Sequence, residues 1–223
     1  MTTSPPEARS PDDGRTLSRR ERNKSEKLRR IKAAAHQLFV TAGYDDTTTA
    51  RIADAADIGM STLFFYAEDK RDLLFMIWND FFEPALDGME ASIDPADDVV
   101  DALAELFQPL YAHHRREPKL SRATLRELNF ASTGTQRERF GANSTRVIAL
   151  IAAILEQGRQ KGEIGQHFDE ALGAALVFAT YQAEIRRHMS SDTETVAAGL
   201  KRLRASFALL VGGLGPASSR AQG

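Results

Sequence analysis

The sequence predicts an all-α protein, with a small N-terminal unit of three helices followed by a larger helical domain. Three observations predict it. Apolar residues recur at steps of three and four along most of the 223 residues, with no strand-like alternation. Glycine and proline fall mostly where helices should start or stop. Two short helical segments lie close together within residues 48–66, joined by a tight turn at Gly59, ahead of much longer helices.

Residues 1–24 are rich in Ser, Pro, Asp and Arg, have little to bury, and read as a mobile basic arm. A first helix over 25–42 carries Leu28, Ile31, Ala35, Leu38, Phe39 and Ala42 as one apolar stripe, and Gly43 follows as a left-handed cap. Thr48 caps a second helix over 49–56, whose inner face is Ile52, Ala53 and Ala56. A third runs over 60–66. Asp69 caps a long fourth helix from Lys70, which Pro84 should kink or end. Asp94, Pro95 and Asp97 announce a fifth helix, bent near Pro109. Pro118 restarts a helix to about residue 132, and others span 136–161, 170–189 and 193–210, the third of these four capped by Asp169. The domains read as 25–72 and 73–213, with a loose tail over 214–223.

Composition narrows the function. Hydrophobic residues at 42% and charged residues at 27% are an ordinary globular balance. With no cysteine there is no disulfide framework, thiol nucleophile or Cys-ligated metal. No apolar segment has the length of a membrane span, and no secretory signal is visible, so a cytoplasmic protein is expected. Charge is unevenly placed. Residues 15–32 hold nine basic and two acidic side chains, a local charge of +7, whereas the whole chain is −2. A basic head on an acidic body points to a polyanion at one end. A solvated tail without a partner explains the same pattern.

Two short helices around a tight turn are the helix-turn-helix arrangement, which projects the N-terminal side chains of its second helix toward base edges in the major groove. Many bundles contain such spacing; the residues are more specific. From Arg30 to Leu74 the chain resembles the DNA-binding domain of the TetR family of transcriptional regulators. Ile31, Ala34, Ala35, Leu38, Phe39, Gly43 and Tyr44 match its first helix, and Thr47 to Ala53 the opening of its second. Ser61 to Tyr66, then Lys70, Leu73 and Leu74, match its recognition helix and the start of the fourth. The match covers about a fifth of the chain. The resemblance implies phosphate contacts from Thr48 and Thr49, helped by the helix dipole. It also implies base contacts from Met60, Ser61 and Thr62, and groove-wall contacts from Phe64 and Phe65. Phosphate bonds would come from Tyr66 and Lys70. Four positions depart from the family pattern: Gly59 replaces a capping Ser, Asp57 a turn Gly, Phe64 a Tyr, and Ala67 a large apolar residue.

The resemblance further implies a C-terminal domain that binds a small molecule and dimerises through its last two long helices. Candidate interface residues are Ala175, Ala179 and Ala183 on one, and Val196, Leu200, Leu203, Phe207 and Leu210 on the other. An intramolecular core stripe has the same spacing. Candidate effector-pocket residues are Trp78, Phe82, Phe107, Tyr111, Arg126, Asn129 and Tyr181, which suit a lipophilic effector. His113 and His114 are neighbours rather than an i, i+4 pair and build no metal site. No catalytic or phosphate-loop motif appears, and no cofactor is expected. The expected partners are double-stranded operator DNA, the effector and a second copy of the chain, with no membrane. The expected action is that of a repressor, released when the effector shifts the fourth helix; the order could be reversed in an activator. An all-helical carrier or enzyme without DNA binding is the alternative, and it predicts no salt-sensitive DNA affinity.

Overall fold

The computed structural model describes residues 18–128, 134–165 and 169–213. Among these residues there are nine helices and no strand: α1 (Arg19–Thr41), α2 (Thr49–Ala55), α3 (Met60–Tyr66), α4 (Lys70–Ala91), α5 (Val99–Arg116), α6 (Pro118–Glu127), α7 (Thr135–Lys161), α8 (Glu170–Ser190) and α9 (Val196–Gly213).

Local chemistry explains most boundaries. α1 starts six residues before the expected position, so residues 19–24 of the expected arm are helical. Ser18 Oγ accepts the Glu21 N–H and the Glu21 carboxylate accepts the Ser18 N–H, at 3.2 and 2.7 Å. This reciprocal capping box satisfies two donors that the first turn would otherwise leave open. Residues 1–17 of that arm, and the tail over 214–223, lie outside the described residues. Thr48, Asp69 and Asp169 cap α2, α4 and α8 as expected, each accepting a backbone N–H from the first turn. Gly43 ends α1 with φ of +100°, which a side chain would strain.

The fifth helix differs from its expectation. It starts at Val99, capped by Asp98, while Asp94 closes a separate turn through the Ala96 N–H at 2.8 Å. Glu163, distant in sequence, accepts the Val99 N–H at 2.8 Å and fixes the later start. Nor does Pro84 end α4, which runs on to Ala91. Leu86 and Met89, both fully buried, hold the helix beyond the missing hydrogen bond.

Two cores result. The N-terminal one gathers Ile31, Ala34, Ala35, Phe39, Ile52, Ala53, Ala56 and Leu63, with Leu73, Leu74 and Met76 from the start of α4. Its many alanines let α1 and the two short helices α2 and α3 cross closely. Leu120 and Ala123 of α6 are buried in the same core. The second core holds the rest of α4 (Trp78, Phe82, Leu86, Met89) with α5, α7, α8 and α9. Helix α5 packs on α9, and α7 lies between α4 and α8. Helix α4 therefore has its first turns in one core and its remainder in the other. Among the described residues no helix is long and apolar enough to cross a membrane.

Candidate nucleic-acid interface

Helix α3 buries one side chain, Leu63, at 1% exposure, and turns the rest outward. Met60, Phe64 and Phe65 are 37, 51 and 72% exposed. An isolated domain gains nothing by wetting two phenylalanines, so this face is shaped for something outside the chain. Ser61 is exposed, and Thr62 and Tyr66 are half-buried along the same surface. Thr48 is exposed at the start of α2, beside the half-buried Thr49. Thr48 Oγ1 accepts the Arg51 N–H at 3.2 Å, which leaves its own proton to donate outward. The core side of the unit is tied down: Thr47, fully buried, donates to the Gly43 carbonyl at 2.7 Å.

One expected contact is otherwise engaged. Lys70 Nζ donates to the Tyr44 carbonyl at 2.7 Å, reaches the Asp45 carbonyl at 3.4 Å and stands 4.3 Å from the Tyr44 ring centroid. It pins the loop between α1 and α2, and a phosphate would have to displace those bonds. The Tyr66 hydroxyl makes a long bond to the Lys24 carbonyl, 3.4 Å, and remains an available donor.

The extended start of α1 brings Arg20 and Lys24, which sequence reasoning placed in the arm, onto the same helix as Lys27. A shallow groove runs between α1 and α3, lined by Arg20, Lys24 and Lys27 on one wall and Phe65 and Tyr66 on the other. Lys24 Nζ lies 5.8 Å from the Phe65 ring centroid. The density of basic residues was visible in the sequence; that they stand on a helix beside the recognition helix was signalled only by the Ser18–Glu21 capping pair.

The turn between α2 and α3 bears out two departures from the family pattern. Asp57 has φ of +52°, the left-handed region where a glycine is at ease. Gly59 caps α3 in the extended conformation of a cap but without a side-chain bond.

The expected effector-pocket residues do not line one cavity. Phe107 stacks on Tyr181 at 4.0 Å, Tyr111 lies 6.4 Å from Tyr181, and Phe82 stacks on Phe140, all within the second core. Trp78 lines a cavity of about 270 Å³ between the two cores, with His36, Phe81, His113 and Glu117. Arg126 lines a separate open groove of about 520 Å³ between α6 and α8. Asn129 lies outside the described residues. The histidines diverge: His113 stacks on Phe81 and His114 on Trp78. Burial pushes His113 down to about 4 and His114 to about 3, so both are neutral at pH 7.

Of the last two helices, α9 differs from expectation at two positions. Leu203 and Phe207 are fully buried in the second core, and Val196, Leu200 and Leu210 pack against it. The four-and-three spacing on α9 is thus an intramolecular stripe. On α8 the expected residues Ala175, Ala179 and Ala183 are exposed, flanked by Leu172 and Leu176 at 56 and 43%. Leu209 of α9 is 81% exposed.

Residues 31–77 match the family model described as "Bacterial regulatory proteins, tetR family". The chain is 22% identical over 171 residues to the Fatty acid metabolism regulator protein of Bacillus subtilis (strain 168), covering 77% of this chain and 88% of that one. Its fold is similar to that of the Bacillus subtilis transcriptional regulator FadR in complex with stearoyl-CoA, with TM-score 0.65 and 22% identity, covering 83% and 98% of the two chains. It is also similar to Thermus thermophilus FadR, a repressor in complex with lauroyl-CoA, with TM-score 0.66 and 24% identity over 88% and 99%. Residues 31–77 thus match the DNA-binding domain of the tetR family of bacterial regulatory proteins, and the chain as a whole has the fold of these regulators.

Proposed function

We propose that the protein is a repressor that binds a palindromic operator as a homodimer and leaves it when a lipophilic effector with an anionic head binds the helical domain. The observation that carries this reading is the outward face of α3, with Met60, Ser61, Thr62, Phe64 and Phe65 at its surface. Base edges are read by Met60, Ser61 and Thr62, while Thr48, Thr49 and Tyr66 hold phosphates, joined by Arg20, Lys24 and Lys27. A second copy is supported by the apolar stripe of Leu172, Ala175, Leu176, Ala179 and Ala183 on α8, and by the exposed Leu209 on α9. One recognition helix reads too few bases to be selective, and a dimer sets two of them about 34 Å apart.

The chemistry of the effector is suggested by the relatives whose structures hold acyl-CoA molecules. The large second core supplies aliphatic and aromatic lining, and arginines stand at the α6–α8 groove. Helix α4, with turns in both cores, transmits the change.

Selection of bound fragments from random DNA, followed by affinity against salt and against lauroyl-CoA, tests the reading. The expected result is a palindromic site whose log affinity falls with log salt by about 0.9 per phosphate contact, and whose complex dissociates with lauroyl-CoA. Replacing Lys24 and Lys27 by Gln lowers that slope by about 2. Binding without a symmetric site, or without salt dependence, would overturn it.

A further inference from the structure

Helix α6 has two faces with different neighbours. Its inner face buries Leu120 and Ala123 in the N-terminal core. Both ends of that face are tied to the DNA-binding unit by polar side chains. Glu117, before the first turn, meets His36 Nε2 of α1 at 2.9 Å through both carboxylate oxygens. Arg126, in the last turn, donates to both carboxylate oxygens of Asp45 at 3.0 and 2.7 Å and sits 5.7 Å from the Tyr44 ring centroid. Asp45 belongs to the loop that leads to Thr48, the cap of α2, and Lys70 holds the same loop from its other side.

The outer face of α6 looks the other way. Arg122, Leu125 and Arg126 line the open groove of about 520 Å³, opposite Arg186 and Met189 of α8. Its carboxylate, Asp192, is already bonded to Arg122. The groove is thus bordered by three guanidinium groups and one carboxylate, a composition suited to a phosphate or carboxylate ligand.

Arg126 is common to both faces. Its guanidinium already holds two carboxylates, with Nη1 and Nη2 forked onto Asp45 and Nε and Nη2 reaching Glu127 Oε1 at 3.3 Å, so an incoming anion can take it only by displacing one of them. We propose that the α6–α8 groove takes the anionic head of the effector and that Arg126 is the switch: the head draws Arg126 away from Asp45 and frees the loop that precedes α2. This rests on the ligand-responsive reading above and gives it a residue. It supplies a route to the DNA-binding unit besides α4, through a pair whose two states are mutually exclusive. The Asp45–Arg126 pair is solvent-accessible, 73 and 47% at the two side chains, so the energy at stake is modest. Such a contact is easily exchanged.

The test is Asp45→Asn beside Arg126→Gln, in the full chain, with lauroyl-CoA, coenzyme A and pyrophosphate as probes. Asp45 lies outside the groove, so a merely structural role predicts no gain in probe affinity. The proposal predicts that Asp45→Asn binds a phosphate-bearing probe about fivefold more tightly than the wild type, because the shorter of the two carboxylate contacts that compete for Arg126 is lost. It also predicts about fivefold weaker operator binding without any probe, at an unchanged melting temperature. Arg126→Gln weakens operator binding likewise, but loses probe affinity. If Asp45→Asn binds every probe no better than the wild type, the switch is overturned, even where lauroyl-CoA still releases wild-type protein from DNA and the ligand-responsive reading stands. If wild-type protein on DNA ignores lauroyl-CoA while Asp45→Asn gains affinity for coenzyme A or pyrophosphate, the switch stands and the lipophilic effector falls.

Discussion

The two cores of this molecule solve different problems. The N-terminal one is made largely of alanine and medium aliphatic residues, and its buried threonine, Thr47, has a firm hydrogen bond. The helical body sets large rings among a majority of aliphatic side chains and contains Trp78 Nε1, Tyr111 Oη, both nitrogens of His114, Ser121 Oγ and His188 Nε2, all buried without a protein partner. Buried polar groups are ordinarily satisfied, because each unmet one costs on the order of 1–3 kcal/mol. The N-terminal unit has one such group, Arg30 Nε. Under the proposed function the body changes state on meeting a ligand, and unmet donors and acceptors are where a ligand's polar atoms gain most. The contrast is one of degree: the unit that presents α3 is nearly satisfied and the body is not, and α4 and α6 join them.

The largest expected effect tests that separation. Phe39 and Phe107 are both fully buried, one in each core. Replacing either by alanine should cost about 3–5 kcal/mol. The chain has one tryptophan, Trp78, and it belongs to the body. Phe39→Ala should therefore abolish operator binding while leaving the thermal transition seen by Trp78 fluorescence nearly in place; Phe107→Ala should lower that transition. An equal drop in both variants would show that the cores melt together.

What could be read in the sequence followed the range over which each signal acts. Local signals located α3 at residues 60–66, placed the caps Thr48, Asp69 and Asp169, and identified the exposed face of the recognition helix. Signals involving distant residues were missed. The start of α5 depends on Glu163, and Lys70 is held by the Tyr44 carbonyl. The apolar repeat on α9 carried no mark of which partner it would meet, and Leu203 and Phe207 turned out to face their own chain. Aromatic composition identified members of the body core but not the void a ligand would occupy, because a cavity is a property of packing and not of residue type.

A second expectation concerns the body's unmet polar groups. His114 is fully buried and its protonation is pushed from an ordinary value near 6.5 down to about 3. Between those two values the unfolded chain binds the proton and the folded chain refuses it. Stability therefore falls as pH drops below about 6.5 and stops falling from this source below about 3. From pH 7 to pH 5 the loss is on the order of 2 kcal/mol. His114→Phe keeps a ring against Trp78 and removes the titration, so urea denaturation at the two pH values should show a smaller loss. An unchanged loss would assign the acid sensitivity elsewhere in the body.

The smallest effects lie in the turn between α2 and α3, where the N-terminal unit departs from the tetR-family pattern. Asp57 holds a φ of +52°, and its contact with Arg30 at 3.3 Å is too exposed to compensate. Asp57→Gly relieves the strain against a greater loss of chain entropy, and the net gain should be about 0.5 kcal/mol. Two residues on, Gly59 has the extended φ and ψ of −73° and 153° that a capping residue adopts. A Cβ there would meet nothing nearer than Ser61 Oγ at 4.0 Å. Gly59→Ser should thus place a hydroxyl over the open N–H groups of α3, for a gain of a few tenths of a kcal/mol. Hydrogen exchange at the Thr62 and Leu63 amides measures this better than melting, since local opening of a seven-residue helix is what the cap opposes. Slower exchange with unchanged operator affinity would mean the missing cap is a plain deficit in stability. Slower exchange with weaker operator binding would mean that the N-terminal unit, too, keeps one loose turn for the recognition helix to settle against DNA.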